Sequence, residues 1–254
     1  MKFGLISDIH ANLPALDAVL THAESKKIEL IYNLGDSIGY GGFPNQVINS
    51  LRSNNIISIK GNYDRKVLRI NHNFDKWSNT KNPIKLLAFK WAYDQLSDDN
   101  IEFIRSFPEQ RSSRIVNKKI LFVHGSPVSR KEPIYENTPN SRLAELIKIA
   151  DSDIIFCGHT HQNMIKKYNN TVFINPGSIG RQHDGDPRAS YAIINISKAN
   201  IKIDFYRIPY NIEMAVQEIY NNGLPEEFAL MTLYGRDLNT IKQFMGKSKN
   251  SFQI

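Results

Sequence analysis

Short apolar runs that stop abruptly at polar residues recur along this chain, and each predicts a buried strand running into a loop. Phe3 to Ile6 breaks at Ser7, Asp8 and His10, Leu30 to Asn33 leads into Leu34-Gly35-Asp36, and Ile56 to Ile59 leads into Lys60-Gly-Asn-Tyr-Asp64. Between them the apolar positions change to helical spacing. Ala15, Leu16, Val19 and Leu20 predict a helix from Asn12-Leu-Pro14 to about Ser25, capped by Asn12, and Pro44 opens a second helix to about Asn54. Three β-α units in a row predict a parallel, layered α/β sheet. From residue 65 to about 107 the pattern is helical, with Leu86, Leu87, Phe89, Trp91, Ala92 and Leu96 in one helix and Ser97-Asp98 opening another. This stretch reads as an insertion, a lid or flank with no recognisable chemistry.

The second half returns to strands. Gln110 to Val116 and Lys119 to Val123 precede His124-Gly125, and Asp153 to Cys157 precedes Gly158-His-Thr-His161, with a helix around Ser141 to Ala150 between them. Met164 to Tyr168 and Thr171 to Asn175 flank Asn169-Asn170 as a hairpin. Ser190 to Ile196 and Ile201 to Arg207 form a further antiparallel pair. The tail, 211–254, reads as two helices split by Gly223-Leu-Pro225. No internal repeat and no long linker divides the chain, so 1–254 is expected to be a single domain.

Composition narrows the class. The chain has 254 residues, 41% of them hydrophobic, enough to cover both faces of a sheet. One cysteine, Cys157, precludes an internal disulfide. No apolar run approaches the roughly 18 residues of a spanning helix, and no secretory signal is legible. A soluble, cytoplasmic protein with no membrane partner is expected. The net charge of +7 and pI near 9.3 could suit nucleic acid. The positive residues are scattered, however, with no run longer than pairs such as Lys26-Lys27 and Lys118-Lys119, and small anionic phosphates fit the charge equally well.

The strand ends share one property. Asp8 and His10, Asp36, Asn62, His124, and His159 with His161 all follow predicted strands, whereas His22, His72 and His183 do not share that setting. Singly, each has an ordinary explanation as a cap or a hydrogen-bonded core residue. Together they would crowd unpaired carboxylates and imidazoles into one crevice, at several kcal/mol each unless a cation sits among them. Seven donors exceed the four of a tetrahedral zinc site and suit two metals sharing a carboxylate. Two cations ~3.5–4 Å apart can hold a phosphate ester and turn a bridging water into a nucleophile near neutral pH.

Asp8-Ile-His10, Gly35-Asp36, Gly61-Asn62-x-Asp64, His124-Gly125 and Gly158-His-Thr-His161 resemble, in order, the five motifs of the calcineurin-like metallophosphoesterases. Ser7-Asp-Ile-His-Ala-Asn-Leu13, Asn175-Pro-Gly-Ser178 and Asp184-Gly-Asp-Pro-Arg-Ala-Ser-Tyr191 extend the resemblance to the small bacterial and archaeal phosphodiesterases, over about residues 1–236. The resemblance implies a four-layered α/β/β/α sandwich with a helical insertion (about 65–107) and a short helical C-terminal tail (about 211–254). It also implies two divalent metals, drawn from manganese, iron, zinc, nickel and cobalt. Asp8, His10 and His161 would hold the first, Asn62, His124 and His159 the second, and Asp36 would bridge them.

One departure stands out: Tyr63 takes the place where the family most often has a histidine that serves the leaving oxygen, with Asp64 as its orienting partner. A phenol of reference pKa near 10 donates a hydrogen bond but holds no imidazolium proton. His183 is a candidate substitute acid, and Asn12 and Arg181 are candidate substrate contacts. The expected activity is two-metal hydrolysis of a phosphodiester, dinucleoside polyphosphate or nucleotide by a bridging hydroxide. The alternatives are a catalytically weakened member serving as nucleotide sensor or protein scaffold and, behind it, a nuclease or protein phosphatase. The insertion and tail are the surfaces that would pair in a homodimer.

Overall fold

The computed structural model describes residues 1–250, with side chains to residue 246. Sheet one is built from β1 (Lys2–Ile6), β2 (Ile31–Asn33), β3 (Ile57–Ser58), β9 (Ala189–Ile196) and β10 (Ile201–Ile208), in the order β10-β9-β1-β2-β3. Sheet two is built from β4 (Arg111–Ile115), β5 (Lys118–Phe122), β6 (Ile154–Phe156), β7 (Asn163–Tyr168) and β8 (Thr171–Pro176), in the order β4-β5-β6-β8-β7. Both sheets are mixed: the parallel arrangement expected from the first three β-α units and the antiparallel pairs expected from the second half occur within the same sheets. β1, β2 and β3 run parallel as their crossover helices require, but β9 returns antiparallel against β1 and β10 follows it as a hairpin. In sheet two β5, β6 and β8 are parallel, and hairpin partners β4 and β7 form the antiparallel edges.

Strand alternation sorts side chains into layers. Phe3 and Leu5 of β1 point inward with Ile194 of β9 and meet Phe122, Phe156 and Ile174 of sheet two. Tyr32 stacks on Phe122 with ring centroids 4.3 Å apart, and Phe3 meets Phe156 edge-on at 5.8 Å. The opposite faces take helices. Ile6 and Ile193 pack under α1 (Leu13–Ser25), α2 (Pro44–Ser53), α8 (Ile212–Asn221) and α9 (Glu226–Tyr234). Leu121, Ile155 and Phe173 pack under α7 (Asn140–Ala150), with Cys157 buried among them as a small apolar residue. The result is an α/β/β/α sandwich.

The insertion consists of α3 (Asn62–Leu68), α4 (Ile70–Ser78), α5 (Pro83–Gln95) and α6 (Asp98–Ser106). Val67, Phe89 and Ile104 join the core under sheet one. Among the described residues the tail holds three helices, not two. Gly235, at φ 57°, ends α9, and Asp237 accepts hydrogen bonds from the N–H groups of Asn239 and Thr240 to start α10 (Leu238–Asn250). Among the described residues no helix is long and apolar enough to cross a membrane.

Candidate metal centre

All the predicted ligand residues lie just past the carboxyl ends of strands: Asp8 and His10 after β1, Asp36 after β2, Asn62 after β3, His124 after β5, and His159 and His161 after β6. Five of them, Asp8, His10, Asp36, His159 and His161, have φ between 50° and 69°. That left-handed conformation costs a residue with a Cβ about 1–2 kcal/mol, and it persists only where the surroundings over-determine it. Hydrogen bonds between loops do so here. Asp8 N donates to Gly35 O at 3.0 Å, His10 N to Asp36 O at 3.0 Å, and Gly158 N to His124 O at 2.7 Å. Gly61 is required by close approach, because a Cβ there would meet Asp36 N at 2.1 Å and Asp36 Oδ1 at 2.2 Å.

The donors form two adjoining groups. Asp8, His10 and His161 offer ligand atoms within 4.8 Å of one another, and so do Asp36, His124 and His159. Asn62 Oδ1 joins the second group, 3.0 Å from His124 Nε2. Asp36 Oδ2 lies between the groups, 3.3 Å from His124 Nε2 and 3.9 Å from His10 Nε2. The imidazoles are oriented from behind: His124 Nδ1 meets Leu34 O at 2.8 Å and His161 Nδ1 meets Arg181 O, so Nε2 of each faces inward.

Asp8 provides the test of fit. Its Oδ2 accepts from Ser7 Oγ at 2.6 Å and His159 N at 3.0 Å. Its Oδ1 is buried without a hydrogen-bond partner, facing imidazole nitrogens of His161 at 3.2 Å, His10 at 3.8 Å and His124 at 4.0 Å. A buried carboxylate oxygen ringed by imidazoles is a fit for a cation, and mixed O and N donors suit first-row divalent ions.

Charge distribution agrees. Burial alone would push Asp8 up, but His161, His124 and His10 hold its carboxyl well below the usual range. Burial of Asp36 is likewise outweighed by His124 and His10. Burial drops His10 to about 3 and His159 to about 4, leaving both neutral. His124 is buried too, yet Asp36 and Asp8 raise it to about 9. In the metal-free protein a proton on His124 therefore stabilises the fold. The folded value lies above the unfolded value of about 6.5, so this contribution is complete below that pH and disappears as the pH rises toward 9. A divalent cation competes with that proton. Melting temperatures with and without manganese should accordingly diverge between pH 6.5 and 9, and parallel curves would contradict this account.

The remaining predicted residues fall into different positions. Tyr63 is buried, its hydroxyl 2.6 Å from that of Tyr40 and its ring edge-on to His10 at 5.1 Å. Burial and then the neighbouring Tyr40 push its phenol well above 10. Asp64 uses both oxygens on backbone N–H groups, those of Asp36 (2.9 Å), Ser37 (2.8 Å), Ile38 (3.3 Å) and Gly61 (2.9 Å), rather than on Tyr63. Burial and Asp36 push its carboxyl up to about 7 against the pull of those donors. Asn12 caps α1 through Ala15 N at 3.2 Å and donates to Gly180 O and Tyr210 Oη, each at 3.2 Å. Its side chain is thereby occupied.

Arg181 and His183 do reach the cleft, a space of about 720 Å³ that also borders Asp36, Asn62, His159 and His161. Arg181 lies over the Tyr40 ring at 4.1 Å, and its buried Nε has no partner. His183 stacks on His161 at 4.2 Å. Burial, His161 and Arg181 keep it far below the usual imidazole range, hence neutral. Arg188 turns away to Asp186. Sequence reasoning missed Tyr40, Lys66, Asp237 and Asn239. The first packs on Tyr63, and the others line the cleft. Lys66 stands one helical turn beyond Asn62, a signal that was present in the spacing.

Comparison with known proteins agrees with this geometry. An uncharacterized protein of Methanocaldococcus jannaschii is 32% identical over 249 residues, covering 92% of this chain and 98% of its own. A phosphodiesterase of the same organism is 24% identical over 179 residues, covering 70% of this chain and 83% of its own. The crystal structure of a metallophosphoesterase from Sphaerobacter thermophilus matches with a TM-score of 0.74 and 29% identity, covering 92% of this chain and 99% of that one. Residues 1–199 match the calcineurin-like phosphoesterase superfamily domain, the family to which this chain belongs.

Proposed function

We propose that this protein is a divalent-metal-dependent phosphodiesterase acting on a small phosphodiester or nucleotide. The observation that carries the reading is the partnerless, buried Asp8 Oδ1 beside a second group of donors that shares Asp36 Oδ2 with the first. Asp8, His10 and His161 would hold one cation, Asn62, His124 and His159 another, with Asp36 between. Bound divalent cations would grip the phosphoryl oxygens and lower the pKa of a water to the neutral range. Arg181, which borders the cleft, would donate to a phosphate oxygen. The name of the M. jannaschii phosphodiesterase supports the reaction class. The test is manganese-stimulated hydrolysis of bis(p-nitrophenyl) phosphate compared with its monoester. A metal-loaded protein that cleaves neither rejects the reading.

The chemistry at Tyr63 favours good leaving groups. Its hydroxyl, tied to Tyr40 and raised above 10, supplies little proton to a departing alkoxide. Across diesters graded by leaving-group pKa, the rate should fall steeply as that pKa rises, aryl esters and anhydrides outpacing alkyl esters. A flat profile would show that another group protonates the leaving oxygen, with His183 the residue to test by His183→Ala. The same hydroxyl pair motivates the second reading, a weakened member serving as nucleotide sensor or protein scaffold.

A further inference from the structure

The cleft continues past Asn62 into a strip of positive charge in which only Arg130 has a carboxylate partner. Arg65, Lys66 and Arg69 follow Asn62 along α3 and its end, while Arg130 and Lys131 approach from the loop after β5. These residues line a groove of about 550 Å³. Asn62 and Lys66 border both this groove and the cleft containing Asp36, His159 and His161, so the two form one depression.

Some cations elsewhere have carboxylate partners, among them Lys90 with Asp94, Arg105 with Glu102, Arg142 with Glu132 and Glu145, Arg188 with Asp186 and Arg207 with Asp184, while others stand singly on the surface. Among the described residues Arg65, Lys66, Arg69 and Lys131 enter no ion pair. Arg130 meets Glu109, yet its buried Nε lacks a hydrogen-bond partner. Single surface cations need no counter-charge. Five converging on one concave strip repel one another, and such a strip focuses a field that attracts anions.

We propose that this groove is a polyanion subsite, in which Arg65, Lys66, Arg69, Arg130 and Lys131 receive a short chain of phosphates joined to the phosphate held at the metal centre. The substrate class is a nucleoside or dinucleoside polyphosphate. The link to catalysis rests on the phosphodiesterase reading above, whereas anion binding by the groove does not. Arginine forks grip phosphate oxygens in pairs and lysines supply point charge, so the mixture suits a flexible, densely charged chain. Compactness separates this ligand from a nucleic-acid strand. α3 is 7 residues long, or about 10 Å of axis at 1.5 Å per residue, and the cations crowd beside it instead of tracking across the surface.

The test is calorimetric titration of the full chain, as purified and after metal removal, with inorganic orthophosphate, tripolyphosphate and an oligothymidylate. Tripolyphosphate should bind at least about tenfold more tightly than orthophosphate and weaken with salt, as expected for several charge contacts. Arg69 and Lys131 are exposed, so a combined R69Q/K131Q variant keeps the packing of α3 and its loop. That variant should lose about tenfold in tripolyphosphate affinity, on the scale of two partly solvated charged contacts. Its ratio of kcat/KM for diadenosine tetraphosphate to kcat/KM for bis(p-nitrophenyl) phosphate should fall by a similar factor. Equal affinity for the two inorganic anions, or a variant that binds like the wild type, overturns the subsite. An oligothymidylate that displaces tripolyphosphate at equal phosphate concentration overturns it in favour of nucleic acid. A protein that binds tripolyphosphate as described but hydrolyses no ester keeps the subsite and removes the phosphodiesterase reading.

Discussion

Replacing Asp36 by Asn is expected to lower manganese-stimulated hydrolysis of bis(p-nitrophenyl) phosphate by roughly a thousandfold, about 4 kcal/mol of barrier. The substitution is nearly isosteric. The amide would still present an oxygen to Tyr63 N, which donates to Asp36 Oδ1 at 2.6 Å, so the loop should keep its shape. What disappears is one negative charge at the oxygen lying between His10 and His124. Two cations held side by side repel, and a shared carboxylate is the ligand that offsets this repulsion most directly. The variant should therefore bind less metal as well as react more slowly, and metal content per chain distinguishes the two effects. Activity within threefold of the wild type would mean that the hydrolysis occurs elsewhere.

The second large effect is on stability, at Asp64. Its carboxylate accepts the N–H groups of Asp36, Ser37, Ile38 and Gly61, in a setting with no access to water. Asp64→Ala leaves those donors unpaired, at 1–3 kcal/mol for each that finds no new partner. Allowing for relaxation, about 4 kcal/mol is expected, which for a chain of this size lowers Tm by roughly 8–16 °C. The loops after β2 and β3 would loosen together, since this one side chain ties them. If Asp64 instead orients a proton donor, Tm will hold and kcat alone will fall.

These two residues also mark how far the sequence could be read. Asp36 was legible because a short apolar strand ended at Leu34-Gly35 and left a carboxylate at the place where sheet loops gather. The same logic located His124 and the His159 and His161 pair, and close approach accounts for the glycines beside several donors, since a Cβ would meet Asp36 N at 2.1 Å from Gly61 and Ser7 Oγ at 2.1 Å from Gly158. Asp64 was legible as a position but not as a role. Four backbone donors from two loops converge on it, and sequence spacing carries no information about such long-range convergence. The antiparallel pairing of β9 with β1 was hidden for a related reason. Nothing local to Ala189–Ile196 states that it will pair with β1, which lies far away in sequence. The third tail helix was missed because Gly235-Arg236-Asp237 compresses a stop and a start into three residues. The cationic groove was invisible because Arg65 and Lys131 are remote in sequence, and the insertion looked chemically inert.

Asp237 and Asn239, in the first turn of α10 and its cap, form one wall of the cleft. They follow all seven candidate ligand residues in the sequence. Cleavage just beyond Tyr234 would therefore remove that wall, together with the buried Leu238 and Ile241, while leaving all seven candidate ligand residues in the chain.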